Sequence, residues 1–138
     1  MRTFHITNLT KKGVRVSTLP FVRMKERVLG KRYALSLVFA GDAYTRKLNL
    51  RYRKRRYVPN VLSFPLDKGE GEIILNVPQA KRECGGRGET LYFFTALLFV
   101  HSLLHLKGRR HGSIMECEER AMLSKFHIVN TFQSPKGK

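Results

Sequence analysis

The most apolar stretch of the chain predicts a buried helix near its carboxyl end. Residues 91–100 are apolar except for Thr95, and the run continues to Leu106 with only a serine and two histidines inside it. A membrane-spanning helix needs about 20 apolar residues, and this run is shorter. It therefore favours a central helix covered on most sides by protein. Gly108 can take the backbone angles at which a helix ends.

Shorter patterns predict the elements around this helix. Extended, largely apolar segments indicate strands at 2–7, 33–40, 61–66 and 72–76. The second of these is apolar on both faces, which is typical of a central strand, and Pro65 suits the third to a sheet edge. Helical spacing predicts helices at 20–29, 42–51, 78–83 and 113 to about 129. Three or four strands with about five helices indicate an α+β fold.

Caps and core contacts follow from the same patterns. Asp42 is expected to cap the helix that it begins, and Ser113 with Glu116 forms an S-x-x-E capping box. Four residues of the final helix are expected to contact the core: Ile114, Cys117, Met122 and Phe126.

Length and composition indicate one globular domain. A chain of 138 residues with 42% hydrophobic content can bury a sizeable core. We expect a single domain over residues 1–132 and a flexible basic tail over 133–138. The N-terminal residues lack a signal-peptide pattern, and two isolated cysteines, Cys84 and Cys117, build no disulfide framework. These features predict a cytoplasmic protein.

The charge balance predicts a polyanionic partner. Lysine and arginine number 27 against 10 aspartates and glutamates, a net charge of +17. Such an excess resists compaction unless a partner offsets it. Nucleic acid is the commonest such partner and an anionic membrane surface is the rival, but no amphipathic helix with a basic face stands out.

The densest part of this charge, residues 46–56, is called the basic strip below. Seven of its eleven residues are cationic: Arg46, Lys47, Arg51, Arg53, Lys54, Arg55 and Arg56. Most charge runs are solvated faces, but here few acidic residues lie nearby. Three tyrosines are interleaved with or flank the strip, at 44, 52 and 57, and tyrosines can stack on unpaired bases. The strip therefore favours contact with single-stranded nucleic acid.

Three of the five histidines fall within eleven positions and have the spacing of metal ligands. His101 and His105 share one face of a helix, and a chain turning at Gly108 can bring His111 back as a third ligand. A lone histidine on an apolar helix is usually a hydrogen-bonded core residue. Two such imidazoles without partners would cost about 1–3 kcal/mol each, which a bound metal removes. Three nitrogens with one open position are the ligand set of a catalytic zinc.

The segments that carry these residues resemble the YbeY family of metal-dependent ribosomal-RNA maturation endoribonucleases. Residues 101–111, HSLLHLKGRRH, are similar to that family's H-G-x-L-H-L-x-G-Y-D-H motif. Its L-N-x-x-Y-R and T-[DN]-V-L-S-F-P segments have counterparts in residues 48–53 and 60–65, and its G-D-I-x-I strand in residues 71–74. Met115 and residues 119–123 are similar to its last helix, so that the resemblance covers roughly residues 33–125.

The resemblance implies a fold, a cofactor and an activity. It implies a mixed sheet packed against the metal helix, in a zincin-like metal-hydrolase architecture. It implies one zinc ion, or another divalent metal, on His101, His105 and His111, a functional arginine at Arg53, and no small-molecule cofactor. The partners would be ribosomal RNA and the small ribosomal subunit, with roles in maturation of the 3′ end of small-subunit RNA and in ribosome quality control.

Three positions depart from the family pattern. Ser102 replaces a glycine, and Arg109 and Arg110 replace a tyrosine and an aspartate. The two guanidiniums are expected to weaken metal binding by like charge while attracting phosphate. Asn60 and Ser63 are expected at the cleft, although for Ser63 a hydroxyl that ends a strand is an equal interpretation. Glu119 is interpreted as a surface or packing residue rather than a catalyst.

Two functions remain open at this point. The first is a single-strand-specific endoribonuclease, with zinc polarising the phosphodiester or a bound water and Arg53 stabilising charge on the phosphate. The second is an RNA- or ribosome-binding assembly factor with a structural or vestigial metal, which Arg109 and Arg110 favour. A zinc protease is rejected because Ser102 stands where H-E-x-x-H has its glutamate.

Overall fold

The structure is a computed structural model and describes residues 3–11 and 18–134. It has four strands and five helices in these ranges, which confirms the predicted α+β class. The strands are β1 (Phe4–Asn8), β2 (Ala34–Phe39), β3 (Val61–Asp67) and β4 (Glu70–Leu75). The helices are α1 (Phe21–Leu29), α2 (Asp42–Arg53), α3 (Val77–Cys84), α4 (Leu91–Lys107) and α5 (Ser113–Lys125).

The four strands form one mixed sheet in the order β1-β2-β4-β3. The β1–β2 and β2–β4 pairs are parallel, whereas β3 and β4 form an antiparallel hairpin. The apolar strand β2 is therefore internal, as its pattern predicts. Strand β3 lies at the edge, where Pro65 can lack a ladder N–H without breaking the sheet.

Helices cover both faces of the sheet, and the helix with the histidines is central. Helix α4 contacts α1, α3 and α5 as well as β3 and β4. Nine of its residues are buried, including Phe94, Phe99 and Leu103. On the other face, Leu48 of α2 packs on a smaller cluster that contains Leu62 and Ile74. The all-round apolar character of α4 thus reflects burial by protein.

Close approach of α4 to the sheet depends on Gly71 in β4. A Cβ atom at this position would lie 2.5 Å from the Tyr33 hydroxyl oxygen and 3.1 Å from a methyl carbon of Leu106. Only glycine leaves this space. Because Leu106 follows His105 directly, the contact sets the depth at which the histidine end of α4 packs on the sheet.

Several predicted details of the helix ends are wrong. Gly41 and Gly112 occupy the N-cap positions, so Asp42 and Ser113 are already helical and neither provides a side-chain cap. Helix α2 continues to Arg53. Helix α5 ends at Lys125, before a left-handed residue, His127.

Two of the four predicted core contacts of the last helix are also wrong. Ile114 is 75% exposed and Cys117 is exposed, whereas Met122 is buried and Phe126 packs against the core. The helix begins at 113 and presents Met115, Glu119 and Leu123 inward, so Ile114 points away. Residue 2 of the predicted first strand and residues 135–138 of the predicted tail lie outside the described residues.

Asp42 has a structural role that differs from capping. Its Oδ1 accepts hydrogen bonds from Asn76 Nδ2 (2.9 Å) and from the Arg82 guanidinium (2.6 Å). The Asn76 amide also donates to the Pro59 carbonyl (3.2 Å). This network ties the start of α2 to α3 and to the segment that leads into β3. The bond from Asn76, and then Arg82, lowers the pKa of the Asp42 carboxyl.

This lowered pKa predicts an acid sensitivity. The folded state holds the Asp42 carboxylate ionised to a lower pH than the unfolded chain does, so its contribution to stability is complete above the usual aspartate pKa. This contribution is lost as the pH falls through the pKa that the Asp42 carboxyl has in the folded state. Urea midpoints at pH 5 and pH 3 should show a smaller difference for Asp42→Asn than for the unchanged chain. An equal difference for the two proteins would contradict the prediction.

Within the described ranges, no helix combines the length and apolarity that crossing a bilayer requires.

Candidate metal centre

Three histidine side chains converge at one end of α4. His101 and His105 lie one turn apart on the helix, and a left-handed Gly108 ends it with φ 104°. The following loop returns His111 to the same point. Each histidine offers one ligand nitrogen, and these three nitrogens lie within 4.8 Å of one another. The ring centroids are 4.5–4.9 Å apart.

The ring of His101 is oriented by an acidic residue on α5. Its Nδ1 lies 2.5 Å from Oε2 of Glu119, whose side chain is 11% exposed. A carboxylate accepts only, so Nδ1 carries the proton and Nε2 is left with a lone pair for a ligand. A histidine held by a carboxylate in this way is the usual supporting arrangement at metal sites.

The ring of His105 is oriented by the loop that carries the third histidine. Its Nδ1 donates to the backbone carbonyl of Arg109 at 3.3 Å, and its Nε2 lies 3.0 Å from Nε2 of His101. Burial, followed by the neighbouring His101 and His111, lowers the pKa of His105. The neutral imidazole that a metal requires is therefore the favoured form at neutral pH.

The donor set fits one divalent metal ion. Two nitrogens bound to one tetrahedral zinc lie about 3.3 Å apart, and the Nε2 atoms of His101 and His105 face each other at a similar distance. His111 is the exposed member of the three, so the fourth side of the site opens toward solvent and substrate. Three nitrogens and an open side are the pattern of a catalytic rather than a structural site.

The third ligand is held in place by an ion pair between its loop and α5. Nε of Arg109 donates to the Glu118 carboxylate at 2.9 and 3.2 Å, and this pairing raises the pKa of Arg109. The guanidinium is therefore neutralised by Glu118, and the expected repulsion of the metal applies to the exposed Arg110 alone. Glu118 and Glu119 are consecutive, so one turn of α5 positions both the loop and His101.

The histidines form one wall of a cleft of about 420 Å³. Arg53 at the end of α2 and Ser63 in β3 line the same cleft, together with Val61 and Pro65. The structure thus brings together five of the residues that the sequence singled out: Arg53, Ser63, His101, His105 and His111. Ser102 also lines the cleft and is buried.

The other predicted RNA-binding residues lie outside this cleft. All seven cations of the basic strip are exposed, and none forms an ion pair with any residue that the structure describes. Arg53 alone reaches the cleft. Asn60 does not line the cleft, and its amide donates to Glu83 near the end of α3 at 2.8 Å. Arg109 and Arg110 belong to the ligand loop.

Glu119 is buried, which agrees with its interpretation as a packing residue, but the sequence analysis did not predict its contact with His101. A signal was present, because Glu119 lies four residues after Met115 and four before Leu123, within an apolar stripe that contains no other charge. A carboxylate in such a stripe needs a buried partner.

We expect Glu119→Ala to weaken metal binding by about 10- to 100-fold, because it removes the acceptor that fixes the His101 ring. Glu119→Gln retains an acceptor oxygen and should show a smaller loss. The dissociation constant is measured by competition with a chelating dye. Glu116→Ala, an exposed carboxylate on the same helix, is the matched control. If both alanine variants bind metal as tightly as the unchanged chain, Glu119 does not support the site.

Comparison with known proteins agrees with this site. The family model described as Endoribonuclease YbeY matches residues 5–131. A protein of Bordetella petrii named Endoribonuclease YbeY is 38% identical over 111 residues, which cover 73% of this chain and 72% of the relative. Another of that name, from Pelotomaculum thermopropionicum, is 31% identical over 122 residues, covering 77% and 80%.

A solved structure shows the same fold. The solution structure of TM1509 from Thermotoga maritima superposes with a TM-score of 0.64 over 98% of this chain and 99% of that one, at 19% identity. Together with the family match and the histidine centre, the fold defines a metal-dependent hydrolase that acts on RNA. The chain belongs to the endoribonuclease YbeY family. The resemblance read from residues 33–125 is thereby confirmed.

Proposed function

We propose that this chain cleaves single-stranded RNA at the histidine centre, with one zinc ion, during maturation of the 3′ end of small-subunit ribosomal RNA. We also propose that the protein takes part in ribosome quality control through the small subunit. The observation that supports this most directly is that three histidines and Arg53 line one cleft. Family membership supports an RNA substrate. The cytoplasmic location and the small-subunit partner remain predictions.

Each residue of the cleft has a distinct task in this proposal. His101, His105 and His111 hold the metal through nitrogens that Glu119 and the Arg109 carbonyl keep directed at one point. A bound zinc supplies a Lewis acid for a phosphoryl oxygen and lowers the pKa of a bound water. Arg53 donates N–H groups to the phosphate and stabilises the charge that develops on it.

The basic strip supports the preference for a single strand. Its cations continue away from Arg53 along α2 and the connector after it, where they can follow a phosphate backbone. Tyr52 is 59% exposed and Tyr57 is 55% exposed, and Tyr52 rests edge-on against Phe64 at 5.7 Å. Aromatic rings supported in this way can stack on unpaired bases, which a duplex does not offer.

The test uses an RNA that contains the 3′ end of the small-subunit RNA, in single-stranded form and annealed to a complementary strand. We expect cleavage of the single strand, loss of cleavage with a chelator, and recovery when zinc is added back. Cleavage that persists in chelator would exclude the metal mechanism. Equal cleavage of both forms would exclude single-strand specificity.

The second candidate is an assembly factor that binds RNA without cutting it. The exposed Arg110 favours it, because a cation beside the site opposes metal binding. Tight binding of the same RNA with no cleavage at any zinc concentration would support this candidate and reject the nuclease.

A further inference from the structure

A second concave surface lies between α1 and α5, away from the histidine cleft. Two adjoining cavities, of about 420 and 220 Å³, share Arg27 and Lys125. Arg23 borders the first cavity and Lys107 of α4 borders the second. These four cations define the α1–α5 groove.

The charge of the α1–α5 groove is not balanced within the protein. Two carboxylates line it, Glu26 and Glu118, and Glu118 is already paired with Arg109. In the part of the chain that the structure describes, none of the four groove cations forms an ion pair. Cations gathered in a concave surface repel one another, so the arrangement suits an anionic ligand.

Other features of the groove suit phosphate groups along a chain. The Arg23 guanidinium lies over the Phe126 ring, 5.2 Å from its centroid, and this cation–π contact holds the cation at the groove. Val28, Leu104 and Met122 form an apolar floor. Apolar walls strengthen the attraction of the cations at the rim for a negative charge.

Helices α4 and α5 each contribute residues both to the groove and to the histidine centre. On α5, Glu118 lines the groove and Glu119 orients His101. Arg109, the partner of Glu118, belongs to the loop that carries His111. The loop that carries His111 therefore contacts a residue that lines the groove.

We propose that the α1–α5 groove binds the phosphate backbone of the RNA that is cut at the histidine centre, at nucleotides beyond those in the cleft. The inference rests on the proposed function, because it takes the same RNA as its ligand. Backbone contacts of this kind position a substrate and do not read its sequence. The groove therefore extends the binding site without adding a reacting group.

The test compares two variants that each lose three positive charges. One is Arg23→Gln/Arg27→Gln/Lys125→Gln in the groove, and the control replaces Lys31, Arg32 and Lys81, which are exposed elsewhere, by glutamine. Binding is measured in chelator, so that it is independent of cleavage. For a long single strand we expect the groove variant to bind about 10-fold more weakly, with a log–log salt slope smaller by about 2.

A short RNA of about five nucleotides, which the histidine cleft can hold alone, should bind equally to all three proteins. Vesicles of phosphatidylglycerol and phosphatidylcholine should bind no less to the groove variant than to the control. The proposal is overturned if both variants lose the same affinity for the long RNA, if the short RNA is affected equally, or if the groove variant alone loses vesicle binding. Failure of the nuclease reaction with intact groove binding would instead reject the proposed function.

Discussion

Replacing His105 by alanine is expected to leave the purified protein with little bound metal and to lower RNA cleavage by at least about 100-fold. His105 lies between its two partners, 3.0 Å from His101 through the Nε2 atoms and 4.5 Å from His111 between ring centroids. Its loss leaves two nitrogens, and the loop of His111 also loses the Nδ1 donor to the Arg109 carbonyl. Metal content per chain is measured by elemental analysis.

The control variants are His5→Ala and His127→Ala, which remove exposed histidines outside the cluster. Both should retain the metal and the activity. A His105→Ala protein that is folded and carries as much metal as the controls would show that the ion is bound elsewhere. The enzyme hypothesis would then lose its physical basis.

Replacing Arg53 by alanine should lower kcat by about 10²–10³ while the metal content stays unchanged. Arg53 lines the same cleft as the histidines and is not one of the three candidate ligands, so its loss removes a charge donor from the phosphate and leaves the ligands in place. Arg53→Lys restores the charge without the paired N–H groups, and an intermediate rate is expected. Single-turnover cleavage of a short RNA separates the rate from binding.

Arg56→Ala is the matched control, because Arg56 belongs to the same basic strip and lies outside the cleft. It should weaken RNA binding and reduce its salt dependence, with little change in kcat. If Arg53→Ala, like Arg56→Ala, weakens RNA binding without lowering kcat, then Arg53 is a binding residue only.

The effects expected for Arg53→Ala and Arg56→Ala differ because the two arginines lie at different positions relative to the cleft. In the proposed function Arg53 acts on the scissile phosphate, and the rest of the basic strip follows the strand on one side. Arg109 has a structural task, since its guanidinium pairs with Glu118 and its carbonyl accepts from His105. A net charge of +17 therefore does not make all arginines equivalent.

Local patterns determined the features that depend on near neighbours in the chain. The spacing of His101 and His105 determines that they share a helix face, and Gly108 ends that helix as expected. The apolar character of β2 and the proline of β3 determined which strand is internal and which lies at the edge. The family motif implied a functional arginine at Arg53, and the structure brings it into the same cleft as His101 although 48 positions separate the two.

Contacts between distant segments were decided by the tertiary structure alone. Glu119 becomes the partner of His101 because α5 packs along α4, and the amide of Asn60 donates to Glu83, which is 23 positions away in the chain. Gly41 rather than Asp42 is the N-cap of α2, and the Asp42 carboxylate has partners across the fold in Asn76 and Arg82. A polar side chain forms a hydrogen bond with the group that tertiary packing brings within about 3 Å of it. The periodicity of the sequence does not predict which group that is.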